Sequence, residues 1–70
     1  MDMQPVESAA IESIGYDPDK LTLAVKFRSG STYHYEPVPA STHAELMRSE
    51  SKGGHLAVHV KGRYDYARVS

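Results

Sequence analysis

Residues 21–37 read LTLAVKFRSGSTYHYEP. Leu21, Leu23, Val25 and Phe27 alternate with Thr22, Ala24 and Lys26, the period-two pattern of a strand with one buried face. The following STYHYEP is rich in β-forming residues. Pro37 and Pro39 stop it, because proline donates no ladder hydrogen bond. The two runs make a hairpin, and the loop length decides which face Tyr33 and Tyr35 join. A two-residue loop, Ser29-Gly30, pairs Lys26 with Tyr33 and Ala24 with Tyr35. The tyrosines then stand in solvent beside a cation, and His34 is forced into the core next to Val25. A three-residue loop, Arg28-Ser29-Gly30, gives Gly30 the left-handed position that this loop class requires. Phe27 then pairs with Ser31, Val25 with Tyr33 and Leu23 with Tyr35, while His34 and Glu36 face out. The second register is favoured. It sets two large rings on the apolar face, each contributing about 1.5–3 kcal/mol if fully buried. It also leaves no histidine buried without a partner. A chain with one phenylalanine and no tryptophan needs its tyrosines as core material, so Tyr33 and Tyr35 are expected in the core.

Upstream, Val6 to Tyr16 carries Ile11, Ile14 and Tyr16, which do not alternate strictly; a bulge near Ser13 reconciles them on one strand. Asp17-Pro18-Asp19-Lys20 is a tight turn. Downstream, His43, Leu46 and Met47 take helical spacing within Ala40–Glu50. That helix starts either with Pro39 as its first residue or with a Thr42/Glu45 capping box. Ser51-Lys52-Gly53-Gly54 ends it, and Ser51 can cap a second helix. Leu56, Val60 and Tyr64 recur every four residues, which suits a helix over about 53–62. LAVHV also alternates as a strand would, but the helix is the preferred reading. Residues 65–70 are expected as a tail with a short strand reaching Tyr66. The layout is β-β-β-α-α: an α+β fold, a three-stranded antiparallel meander with two short helices packed on one face. Residues 1–5 are expected to be disordered, 6–66 to form a single domain and 67–70 a tail.

Seventy residues allow one domain with a small core. There is no cysteine, so no disulfide supports that core and no thiolate can bind a metal. No apolar run approaches the roughly 20 residues that span a bilayer, and MDMQPVESAA lacks the pattern of a signal peptide. The expected location is the cytoplasm, with no membrane partner. The net charge of −1 is unlike that of a general nucleic-acid binder, but the charge is unevenly spread. Residues 1–47 hold three basic and seven acidic side chains, a balance of −4. Residues 48–70 hold five basic and two acidic ones, a balance of +3, enough for a local positive face.

An ordered set of short motifs runs through the chain: Ser8-Ala9-Ala10-Ile11, Gly15-Tyr16-Asp17, the alternating Leu21–Phe27, Gly30, Tyr33-x-Tyr35, Val38-Pro39, Ser51-Lys52-Gly53 and Tyr64. This set resembles the KTSC family, a domain named for the C-terminus of some lysyl-tRNA synthetases that also occurs as free-standing small bacterial proteins. The resemblance covers about Val6 to Tyr64. It implies RNA as a partner, through the association with a tRNA enzyme. The family's tyrosine motif maps onto Tyr33 and Tyr35, and its Ser-Lys-Gly onto Ser51, Lys52 and Gly53. Where members often carry aromatics this chain has His55 and Leu56, which removes stacking surface at that point.

The candidate RNA-binding residues lie in the basic third. Lys52, Lys61, Arg63 and Arg68 suit phosphates, Tyr64 and Tyr66 suit base stacking, and the Gly53 and Gly54 amides can approach a phosphate at the start of the second helix. The plainer reading is that the glycines only stop a helix and Tyr64 packs on the sheet. A second function class is a protein-docking or homo-oligomerising module that uses an exposed sheet edge. An enzyme is not expected. His55 and His59 stand four apart but lack a third ligand, and there is no HExxH motif. His34, His43, Ser51 and the adjacent Lys52 form no evident nucleophile arrangement. No catalytic residue, metal or cofactor is expected.

Overall fold

The computed structural model describes residues 1–70. Five strands form one antiparallel sheet in sequential order: β1 Met3–Pro5, β2 Ile11–Asp17, β3 Thr22–Phe27, β4 Thr32–Glu36 and β5 Asp65–Arg68. Two helices, α1 Ala40–Arg48 and α2 Lys52–His59, lie between β4 and β5 in the chain. The fold is α+β, with a meander of five strands rather than the three expected.

The hairpin at Gly30 takes the three-residue loop. Leu23 pairs with Tyr35 and Val25 with Tyr33. The Phe27 amide donates to the Ser31 carbonyl at 2.9 Å, and the Gly30 amide to the Phe27 carbonyl at 2.9 Å. Gly30 has φ +101°, a region that L side chains disfavour. The register carries across the sheet: Ile14 faces Val25 and Tyr16 faces Leu23 on β2, and Tyr66 faces Tyr35 on β5. Opposed residues of an antiparallel pair share a face, so all these side chains stand on the helix-covered side. A bulge between Ile11 and Ser13 leaves Glu12 as the extra residue. It brings Ile11, opposite Phe27, and Ile14, opposite Val25, onto the same face.

The core lies between this face and the helices. Ile11, Ile14, Leu23, Val25, Tyr35, Val38, Leu46, Leu56 and Val60 are all buried. Leu46 comes from α1 and Leu56 from α2. Val58, which a strand reading would bury beside Leu56 and Val60, is 63% exposed. Ser51 caps α2, its hydroxyl accepting from the Gly54 amide at 3.3 Å. The Tyr16 hydroxyl donates to the Val38 carbonyl, and the Tyr16 ring stacks on His43 of α1 at 4.7 Å and 7°. These contacts tie α1 to β2.

Several expectations need correction. Residues 1–5 contain β1, which crosses close over Gly15: a Cβ at Gly15 would lie 2.6 Å from Met3 Sδ and 2.9 Å from the Asp2 carbonyl oxygen. A glycine is what admits that strand. The tail is β5, paired along its whole length with β4 and continued by the Val69 amide donating to Thr32. Leu21 is 41% exposed with φ +52° and belongs to the turn, not to β3. That turn is closed by Asp17 Oδ1, which accepts from the Asp19 and Lys20 amides at 3.0 and 3.3 Å. Helix α1 uses neither expected start. Pro39 is its N-cap with no side-chain cap bond, and Thr42 Oγ1 instead lies 3.4 Å from the Tyr64 hydroxyl. Helix α2 ends at His59, short of Gly62.

Two outcomes follow for stability. No atom would crowd a Cβ at Gly30, so substitution there acts through the backbone alone. Gly30→Ala should cost about 1–2 kcal/mol in urea unfolding, and Gly30→Asn less, because asparagine tolerates positive φ. An unchanged midpoint for Gly30→Ala would refute the turn. Burial holds the His43 pKa below its ordinary value of 6.5, so the unfolded chain takes up the proton first as pH falls. Stability from this group is complete above about pH 6.5 and is lost as pH drops from there toward the depressed folded value. His43→Phe, which keeps a ring on Tyr16, should remove that part of the pH dependence while leaving the chain folded.

Candidate functional site

The helix side of the sheet is only partly covered. Tyr35 sits beneath the helices at 3% exposure, whereas Tyr66, opposite it on β5, is 64% exposed. Tyr33 and Phe27, nearer the Gly30 turn, are half-buried. Together they form one aromatic surface. Phe27 and Tyr33 meet edge to face at 5.7 Å and 88°. Tyr33 lies 6.4 Å from Tyr35 and 5.7 Å from Tyr66, and Tyr35 lies 6.0 Å from Tyr66. These spacings are favourable for aromatic pairs.

After Val60 the chain turns through Lys61–Arg63 to reach β5, with Gly62 at φ +80°. That turn carries the Lys61 ammonium over the Phe27 ring, 5.3 Å from its centroid, a cation–π contact. The result is an open groove of about 480 Å³ lined by Phe27, Ser29, Ser31, Tyr33, Tyr35, Lys61, Gly62 and Tyr66. A second hollow of about 500 Å³, lined by Gly62, Arg63, Tyr64, Asp65 and Tyr66, adjoins it. Tyr66 and Gly62 are common to both.

The groove lining supplies aromatic rings, a cation and two serines. Burial, then the neighbouring Tyr33 and Tyr66, push the Tyr35 pKa above its ordinary value of 10, so this hydroxyl keeps its proton at neutral pH. No carboxylate or imidazole lines the groove. The residues present can stack, hydrogen-bond and attract an anion.

The sequence-derived candidates separate into two groups. Lys61 lies in the groove, and Arg63 and Tyr64 line the adjoining hollow. Arg68 is the register partner of Tyr33 and so shares its face. Tyr64 itself is half-buried against the core, which leaves little ring free. Lys52, Gly53 and Gly54 line neither hollow. Lys52 Nζ donates to the Ser49 carbonyl at 2.7 Å, and the Gly54 amide is taken by Ser51. A Cβ at Gly53 would lie 3.9 Å from Ala10 Cβ and from Ser8 Oγ. Lys52 and Gly54 thus bond within the α1–α2 junction, Gly53 lies toward the segment before β2, and none of the three lines the groove. Tyr33, expected wholly in the core, is also a groove wall. The His55 and His59 rings pack on each other at 4.3 Å, and no group of three or more His, Cys, Asp or Glu side chains is placed to hold a metal ion.

Phe27, Ser29 and Ser31 were not anticipated at the site. The one signal that could have found them is position. They flank the loop of the hairpin, the end of the sheet that no later apolar segment is long enough to reach.

Comparison with known proteins agrees with this architecture. The KTSC domain matches residues 7–64. The crystal structure of a KTSC domain protein from Yersinia pestis superimposes with a TM-score of 0.96 at 39% identity, over 99% of this chain and 97% of that one. A protein of Tsukamurella paurometabola is 47% identical over 62 residues, 89% of this chain and 92% of the relative. A lysine–tRNA ligase of Nostoc punctiforme is 34% identical over 64 residues, 91% of this chain but 11% of that enzyme. No helix is long and apolar enough to cross a membrane. With the match spanning most of its length and the same fold in a solved relative, the chain belongs to the KTSC domain family.

Proposed function

We propose that this chain is a small, non-enzymatic cytoplasmic module that binds single-stranded RNA in the Phe27–Tyr33–Tyr66 groove. The observation that carries the reading is the open aromatic surface with a lysine ammonium at its rim. Single strands are held by stacking bases on aromatic faces and by cations along the backbone. Tyr66 and Tyr33 supply the faces. Lys61, with Arg63 and Arg68 nearby, supplies charge on a protein whose net charge is −1, so binding rests on stacking more than on a broad electrostatic field. The relationship to lysine–tRNA ligases supports RNA over other stacking ligands.

Fluorescence anisotropy with short single-stranded RNA tests the reading. Base–aromatic stacking is worth about 1–3 kcal/mol, so Tyr66→Ala should weaken binding roughly 5- to 150-fold. Tyr66 is mostly exposed, and circular dichroism should show the variant folded. Lys61→Ala should weaken binding and lower the slope of log affinity against log salt by about 0.7. Lys52→Ala should leave both unchanged. Absence of binding at low salt, or binding indifferent to Tyr66→Ala, would refute the proposal.

A further inference from the structure

Strand β5 is an open edge. Its one neighbour is β4, and Asp65, Tyr66, Ala67 and Arg68 are all exposed. The opposite edge, β1, is blunted by Pro5, which has no amide to offer; β5 has no such guard. The Val69 amide donates inward to Thr32 at 2.8 Å. Hydrogen-bonded pairs alternate along an antiparallel ladder, so Ala67 and Asp65 also bond inward. The amides and carbonyls of Tyr66 and Arg68 then point to the free edge.

We propose that β5 pairs antiparallel with β5 of a second copy of this chain, about a two-fold axis through Ala67. Antiparallel pairing of identical strands in a continuous sheet needs an axis perpendicular to the sheet, so opposed residues must share a face. With the axis at Ala67, Tyr66 stands opposite Arg68 of the second copy, and Arg68 opposite its Tyr66. These are the residues whose backbone groups are free. Both side chains lie on the helix side, so each guanidinium meets an exposed tyrosine ring, a cation–π pairing made twice by symmetry. Ala67 meets Ala67 of the second copy on the other face, where small side chains allow close approach. An axis at Tyr66 would instead set Arg68 against Tyr64, which lies beyond the strand in the Lys61–Tyr64 turn. The axis at Ala67 draws only on Asp65–Val69, all engaged in the β4 ladder. This dimer does not rest on the RNA reading, although it shares Tyr66 and Arg68 with it, and it places two aromatic grooves on one face.

Sedimentation velocity over micromolar to millimolar concentrations tests it. The natural chain should dimerise. Ala67→Lys and Ala67→Glu, at an exposed position, should each raise the dissociation constant about fivefold, because like charges then face each other at the axis. An equimolar mixture of the two should recover or exceed the natural affinity. Arg68→Pro, which removes an outward amide and spares the β4 ladder, should abolish the dimer with the circular dichroism spectrum unchanged. A natural chain that stays monomeric at millimolar concentration would overturn the proposal. So would a dimer unaffected by these variants. A dimer strengthened by Ala67→Lys would overturn it too, since residue 67 would then face Asp65.

Discussion

The turn at Gly30 is the constraint on which the rest of the structure depends. Its positive φ closes a three-residue loop and so fixes which side of the sheet every residue of β4 occupies. One residue fewer would send Tyr33 and Tyr35 to the open face and His34 to the core. With the turn as it is, the sheet gathers Ile14, Tyr16, Leu23, Val25, Tyr33, Tyr35 and Tyr66 on one side. The helices then have an apolar surface to cover, and the aromatic rings of three strands come into contact.

The groove is a consequence of incomplete cover. A helix of nine residues is about 13 Å long. Five strands spaced about 4.8 Å apart make a sheet roughly 19 Å across from first to last. Leu46 of α1, Leu56 of α2 and Val60 just after it form one buried cluster with Ile14, Leu23, Val25 and Tyr35, and the Gly30 end of β3 and β4, with β5 beside it, is left open. Only the Lys61–Arg63 turn crosses that end. Rings placed by the register to be core therefore grade from buried Tyr35, through half-buried Tyr33 and Phe27, to exposed Tyr66. The same residues serve the core at one end and a binding surface at the other.

This gradient explains what the amino-acid sequence disclosed and what it withheld. The alternation of Leu23, Val25 and Phe27, the loop glycine and the four-residue spacing of Leu56 and Val60 are local signals, and each produced its element. Strands β1 and β5 have three and four residues, exposed throughout. They carry no alternating apolar pattern because ladder bonds to a neighbour hold them, and a neighbour in space is invisible to a local pattern. Leu21 extended the alternation one residue too far, into a turn governed by Asp17. Of the candidates in the basic third, Lys61 and Arg63 stand at the two hollows, whereas Lys52, Gly53 and Gly54, expected to meet a phosphate at the start of α2, lie away from them. The Lys52 ammonium and the Gly54 amide are bonded within the α1–α2 junction. The groove itself was not legible because it depends on where the helices stop short.

The most direct test of this account is a nuclear magnetic resonance titration of the natural chain with a short single-stranded RNA, following the tyrosine and phenylalanine ring protons. The account predicts ring-current shifts at Tyr66, Tyr33 and Phe27, movement of the Lys61 and Gly62 amides, and still signals at Lys52, Gly53 and the Tyr16–His43 stack. Shifts confined to the start of α2 or to the open sheet face, with the three rings unmoved, would contradict it.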